Sequence, residues 1–423
     1  MRTETKELIV GLDIGTSKVV VAVAEVLPEA PGDGTDDGAG TSPGFQVIGI
    51  GQAESEGLRK GVVVNIEATV RSIRKALEEA ELMAACRIGT VYTGIAGSHI
   101  RSFNSSGMVA IKDREVTAND VARVLETARA VNIPTDQQVL HVLTQEYIVD
   151  GQDDIREPMG MSGVRLEVRV HIVTGAVSAA QNIVKCVRRC GLEVQDLVLQ
   201  PLASAWAVLT PDERELGVAL IDIGGGTTDI ALLTNGAIRH TAIIPIAGDQ
   251  ITSDIAMALR TPIPDAEAIK LRYGVAKEVL ADANDRIEIP GLGDRAPRML
   301  SRQALAAVIE PRVEELFTLA QKVVRESGYE EMLSSGIVLT GGSALLPGVA
   351  ELAEDVFLKP ARIGWPTYDN ALADVVRNPR FATVMGLLME AHRQRVRGAR
   401  IAAQTGSFSQ TFKRMKQWIV GNF

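Results

Sequence analysis

Cysteine, histidine, aromatic residues and long apolar runs are all scarce in this chain of 423 residues, and each scarcity closes off a class of protein. Cys86, Cys186 and Cys190 are an odd, small count that builds no disulfide framework. Cys186 and Cys190 sit four apart on an amphipathic helical pattern with no second ligand pair nearby, so all three read as small buried residues in a reducing cytosol. His99, His141, His171, His240 and His392 are scattered without the spacing of a metal site or a catalytic triad and read as packed or surface residues. The 44 Lys plus Arg against 53 Asp plus Glu leave a formal charge of −9, which removes the electrostatic footprint of a nucleic-acid binder. No stretch reaches the roughly 18 uninterrupted apolar residues of a membrane span. Arg2, Glu4, Lys6 and Glu7 interrupt the opening, so neither a signal peptide nor a transmembrane helix is expected. The P-loop pattern GxxxxGK[ST] is absent as well, which excludes that class of nucleotide hydrolase.

What is present is a globular balance, 46% hydrophobic and 23% charged, at a length that predicts roughly three domains. Strand and helix patterns alternate, which predicts an α/β protein. Leu8–Ile14, Lys18–Leu27 and Phe45–Gln52 read as consecutive strands, with an acidic, glycine-rich loop, Pro28 to Gly44, between the second and third. A crossover helix is expected over Asn65–Ala85. From Val91 to Val149 the rhythm changes: strands at Val91–Ala96, Met108–Ile111 and Val139–Val149 surround a helix whose Thr117 and Asp120 form a capping box. This reads as a small α/β module inserted into the first domain. The main pattern resumes with a strand at Val164–Thr174, a helix at Ser178–Cys190, a strand at Glu193–Leu199 and a helix at Leu202–Leu209.

The opening then recurs. Asp13, Ile14, Gly15, Thr16 lie between two strands, and Asp222, Ile223, Gly224, Gly225, Gly226, Thr227 do the same in the second half, so a duplicated fold with a cleft between its halves is expected. Glycine after a strand lets backbone approach a phosphate, and Thr16, Ser17, Thr227 and Thr228 supply hydroxyl donors, with Lys18 a point charge. Asp13 and Asp222, facing one another, can hold a hydrated Mg²⁺, which keeps several waters and needs only one or two carboxylates. A third glycine turn, Gly341, Gly342 and Ser343, follows a strand and suits the close approach of a purine and ribose. Gly248 opens a helix, and Glu267 and Lys270, three apart on another helical face, can reach ribose hydroxyls.

The two phosphate turns, the strand and helix around Gln200 to Ser204 and the third glycine turn resemble the actin, Hsp70 and sugar-kinase superfamily. The stretches GLDIGTSKV, SGVRLEVRVHIVT, DERELGVALIDIGGGTTDIA, TSDIA, DAEAIK, VIEPR and GIVLTGGSALLPG resemble the FtsA family of bacterial cell-division proteins over nearly the whole chain. The resemblance implies a duplicated actin-like fold binding ATP and Mg²⁺ in the inter-domain cleft. It divides the chain into a first domain (1–87 and 164–200), the insert (88–163), a second domain (201–395), a linker (396–406) and a C-terminal amphipathic helix (407–423). It also implies a peripheral protein on the cytoplasmic face of the inner membrane at the division site. There it polymerises with itself, anchors the FtsZ ring and helps recruit later division proteins through the insert. Gln200 occupies the place where relatives orient the attacking water. A neutral amide is a poor proton acceptor, so at most a weak ATPase is expected, with Asp13 and Asp222 beside it.

The C-terminal expectation also stands on spacing alone. Phe408, Phe412, Met415, Ile419 and Phe423 recur every three or four residues, with Trp418 at the edge of the stripe and Lys413, Arg414 and Lys416 towards its flanks and back, which predicts a helix lying in anionic lipid. The resemblance further implies that the second half receives the acidic and apolar C-terminal tail of FtsZ, with Arg298 and Arg302, in a basic cluster with Arg295, as the expected contacts. Two alternatives share the fold. A small-molecule kinase would need a general base in an open substrate cleft, and an actin-like scaffold of type IV pili would have no use for a lipid helix.

Overall fold

The computed structural model describes residues 7–27, 44–291, 293 and 296–404, with side chains through 397. In chain order the first half contains β1 (Leu8–Ile14), β2 (Lys18–Val26), β3 (Phe45–Glu54), the short pair β4 (Leu58–Arg59) and β5 (Val62–Val63), α1 (Ile66–Ala84) and β6 (Thr90–Ile95). Next come β7 (Arg101–Ala110), α2 (Ala118–Arg129), β8 (Gln137–Val149), β9 (Gln152–Ile155) and β10 (Arg165–Ala176), followed by α3 (Val177–Arg189), β11 (Glu193–Leu199), α4 (Gln200–Val208) and α5 (Pro211–Leu216). The second half holds β12 (Val218–Ile223), β13 (Thr228–Thr234), β14 (Ala237–Ile244), α6 (Gly248–Leu259), α7 (Ile263–Tyr273), β15 (Arg286–Ile289), β16 (Arg298–Ser301) and α8 (Arg302–Ser327). It closes with β17 (Ile337–Thr340), α9 (Val349–Phe357), β18 (Ala361–Ile363), α10 (Ala373–Val376) and α11 (Ala382–Gln404). Among the described residues no helix is long and apolar enough to cross a membrane.

The expected duplication is present in the sheets. One has the order β11-β6-β1-β2-β3 and the other β14-β13-β12-β17-β18. Each begins with an antiparallel meander, β1-β2-β3 or β12-β13-β14, and adds two parallel strands beside the first strand of that meander. β1 and β12 are central and almost wholly buried, which is why they read as continuous apolar runs rather than alternating ones. Two large apolar cores result: one includes Leu12, Val21 and Leu387 and reaches Leu220, Leu233 and Val338 of the second sheet, and the other, within the second half, includes Ile221, Leu305 and Phe317.

The insert is a separate four-stranded antiparallel sheet, β7-β10-β8-β9, with its own small core under α2. Thr117 and Asp120 form the expected capping box at the start of α2. Two boundaries differ from the sequence reading. The strand at Val91–Ala96, assigned to the insert, is β6 and pairs inside the first sheet; the strand at Val164–Thr174, assigned to the first domain, is β10 and lies between β7 and β8 in the insert. The insert therefore runs past residue 163. β7 also begins seven residues before the expected Met108, because ladder bonds to β10 hold a polar, half-exposed stretch that hydrophobicity does not mark.

Two other readings change. The stretch 396–406, read as a linker, has helical backbone through Gln404, since alanine, arginine and glutamine favour continuing the helix. Of the cysteines only Cys186 is buried, Cys86 and Cys190 being half-buried. His141 and His171 are packed as expected, each hydrogen-bonded. The loop Pro28 to Gly44, apart from Gly44, and the tail 407–423 lie outside the described residues.

Candidate functional site

β1 and β12 each carry an aspartate one residue before their end, and a glycine turn follows. The turns close alike: the Gly15 amide donates to the Lys18 carbonyl at 2.9 Å, and the Gly224 amide to the Thr227 carbonyl at 3.0 Å. The two turns meet across the halves. A Cβ placed on Gly225 would lie 2.6 Å from Ser17 Oγ, and one on Gly226 would lie 2.5 Å from Thr16 Oγ1, so only glycine permits this approach. Behind the first turn, the Gly61 amide donates to Thr16 Oγ1 at 3.1 Å.

The remaining predicted residues gather around the second turn. The Gly248 and Asp249 amides, at the start of α6, donate to the carbonyls of Gly224 (3.1 Å) and Gly225 (2.8 Å), and Ser343 Oγ donates to Gly224 at 3.0 Å. Lys270 Nζ reaches the Gly248 carbonyl at 3.1 Å and Thr252 Oγ1 at 2.8 Å, while pairing with Glu267 at 2.7 Å. Gly341, with φ +88°, carries the chain past Asp222; Gly342 follows at the start of a short helical turn.

Both aspartates are buried. Burial pushes Asp13 up to about 6, with Lys18 opposing and Asp222 adding to the rise. Asp222 is raised by burial too, and is opposed by a 2.6 Å bond from Ser204 Oγ and by Lys18. Gln200 Nε2 donates to Asp13 Oδ1 at 3.1 Å, which puts the amide beside the carboxylate.

Two predicted donors are already engaged. Thr228 is fully buried and gives its hydroxyl to the Ile246 carbonyl at 2.7 Å, so it offers nothing to the cleft. Lys18 donates to the Arg380 carbonyl and lies 4.8 Å from the centre of the Phe381 ring, and burial lowers it to about 8. Arg298 and Arg302 are apart from this site. Arg298 donates to the Leu259 carbonyl at the end of α6, while Arg302 Nε donates to the Tyr273 carbonyl at 2.9 Å and Nη1 lies 3.7 Å from Asp285. Arg295 lies outside the described residues.

Sequence reading missed Ser204, Thr252, Arg380, Phe381 and Thr383, which are close only through folding. It also missed Asp229. In β13 this residue stands opposite Asp222, where the first half has Val20 opposite Asp13. Asp229 is buried, its Oδ1 has no hydrogen-bond partner among the described residues, and burial beside Asp222 and Asp13 pushes it well above the usual carboxylate range. The polar residue in place of Val20 was the available signal.

A family model described as cell division protein FtsA matches residues 219–386, and one described as an SHS2 domain inserted in FtsA matches 97–174, in agreement with β7 to β10 rather than with the expected 88–163. The cell division protein FtsA of Pseudomonas aeruginosa is 57% identical over 426 residues, covering 99% of both chains. The chain belongs to the FtsA family of cell division proteins. Its relative in Escherichia coli K12 is 43% identical across the full length of both, and that in Bacillus subtilis is 40% identical over 93% of this chain and 86% of its own.

The fold is actin-like, with the small insert. The chain is similar in fold to a chain of the PilM-PilN type IV pilus biogenesis complex (TM-score 0.61, 16% identity, 91% of this chain and 98% of that one). It is likewise similar to MreB 5 of Spiroplasma citri bound to AMPPNP (0.53, 15%, 94% and 99%) and to the MamK double helical filament (0.51, 13%, 91% and 98%).

Proposed function

We propose that this chain binds ATP and Mg²⁺ between its halves, assembles with copies of itself on the cytoplasmic face of the cell membrane at the division site, and anchors the FtsZ ring there. The observation that carries the nucleotide reading is the contact of the two glycine turns with a buried aspartate behind each. Amides and hydroxyls of Thr16, Ser17 and Gly225 to Thr227 are the donors for phosphate oxygens, while Gly15 and Gly224, whose amides close the turns, leave room for the phosphate to approach. Gly248, Glu267, Lys270 and Gly341 to Ser343 form the adenosine side.

The donor set fits Mg²⁺. Among the described residues no three His, Cys, Asp or Glu side chains gather into a cage, so the ion would use Asp13 and Asp222 and keep its waters. When bound it would supply positive charge that draws both carboxyls into their ionised form. Gln200 orients a water without taking its proton, which favours slow turnover. The fold shared with the AMPPNP-bound MreB 5 and the MamK filament supports nucleotide binding and self-assembly.

Membrane attachment rests on the apolar stripe from Phe408 to Phe423, beside Lys413, Arg414 and Lys416. The FtsZ tail is assigned to the second half around Arg298 and Arg302, and later division proteins to the insert, on family membership. Co-sedimentation with anionic liposomes, with and without ATP, tests the reading. The parent should pellet with lipid and more so with ATP, as an array of subunits binds multivalently; lipid-independent behaviour would overturn it.

A further inference from the structure

Strand β8 of the insert holds the outer edges of both large sheets. On the first half, His141 Nε2 accepts the Leu199 amide of β11 at 2.9 Å. On the second half, Gln145 Nε2 donates to the β14 carbonyls of Ile238 (3.1 Å) and Arg239 (3.4 Å). β11 and β14 are edge strands, and their outward backbone groups would otherwise need water or another chain.

The local backbone is built for this. The ladder between β8 and β10 slips at two places: pairing jumps from Glu146 to Thr144, leaving Gln145 as an extra residue, and from His141 to Val139, leaving Leu140. A bulge re-aims side chains and bends a strand, and here one adjoins each attachment. Neighbouring insert strands strengthen the grip on β14: Ser102 Oγ donates to the Thr241 carbonyl at 2.8 Å, and His171 Nε2 meets Thr241 Oγ1 at 2.9 Å. At the rim Arg156 pairs with Glu215 of α5, whose carbonyl accepts the Asn235 amide of the β13–β14 turn at 3.0 Å, and Asn235 Nδ2 lies 3.4 Å from Asp154 Oδ1.

We propose that the insert is a latch across the cleft, so that the halves cannot separate without breaking its seam with β14. Coupling then runs both ways: whatever opens the cleft frees the insert, and whatever grips the insert changes how fast the cleft releases its contents. The release part rests on the nucleotide reading above; the shape part does not.

The test compares the full chain with a Ser102→Ala, Gln145→Ala double variant. Small-angle scattering without nucleotide should show a larger radius of gyration for the variant, and a fluorescent ATP analogue chased with ATP should leave it at least fivefold faster. Should the double variant fail to fold by circular dichroism, Arg156→Glu, which sets two carboxylates face to face at the exposed rim, takes its place with the same expectations. A folded variant with the parent's radius and the parent's release rate overturns the latch. If the parent binds no analogue, the nucleotide reading fails, and the scattering comparison alone decides the latch.

Discussion

Replacing Gly341 by alanine tests the second half's glycine turn against a control one residue away. Gly341 has φ +88° and ψ 172°, a region that glycine alone occupies readily, so alanine there costs about 1–3 kcal/mol in backbone strain. The new Cβ would also lie 2.4 Å from Asp222 Oδ1 and 2.5 Å from the Ile223 carbonyl. Neither can retreat freely: Asp222 is buried and tied to Ser204, and Ile223 ends a central strand. Overpacking adds about 1–3 kcal/mol, so the expected loss is roughly 2–6 kcal/mol, enough to lower the second half's melting midpoint by at least about 4 °C. Binding of a fluorescent ATP analogue should fall with it, because the displaced carboxylate is the proposed cation anchor. At Gly342 the same methyl meets nothing nearer than Arg380 Cγ at 3.8 Å, an ordinary contact, and Gly342→Ala should melt as the parent does. Thermal scans and binding isotherms on both variants decide the matter. Two variants that melt alike would refute the geometric reasoning.

Other expectations follow from single residues. His171 is buried in the seam between insert and second half, and burial beside His240 holds its ring down to about 3. The unfolded chain binds a proton below about 6.5 and the folded one does not, so stability from this site is present above that pH and lost as pH falls; at pH 5 the loss is about 2 kcal/mol. Urea unfolding at pH 7 and pH 5 should show a smaller difference for His171→Gln than for the parent; an equal difference would exclude His171 as the source. Arg302→Ala should cost about 1–3 kcal/mol in urea unfolding through its lost bond to the Tyr273 carbonyl, with or without any partner peptide; an unchanged midpoint would make that bond dispensable. Trp418→Glu or Phe412→Glu should release the protein from anionic liposomes in a flotation assay while Gln417→Glu does much less, and equal flotation of all three would remove the tail as anchor.

The duplicated sheets were legible because β1 and β12 carry the same strand, aspartate and glycine order, and because buried central strands write themselves as apolar runs. The insert's limits were not. β6 and β10 each read as a strand, and only hydrogen bonding between distant strands decides which sheet each joins. β14 and β18 went unread for a related reason: Ala237–Ile244 is broken by Arg239 and His240, and Ala361–Ile363 is three residues long. In the site, the glycines and the two principal aspartates were readable as a repeat. The engagement of Thr228 and Lys18 was not, since their partners, Ile246 and Arg380, are respectively 18 and 362 residues away. Asp229 was the exception, visible in the sequence as a departure from the first copy but passed over.

The central claim is that the touching glycine turns and their two aspartates are a site for one nucleotide. Calorimetric titration of the full chain with ATP in the presence of Mg²⁺, repeated on Gly225→Val and Asp222→Ala, tests it most directly. The account predicts one ATP per parent chain and affinity at least tenfold weaker, or no measurable heat, in both variants, provided circular dichroism shows them folded. A parent that takes up no ATP, or folded variants that bind as tightly as the parent, would contradict it.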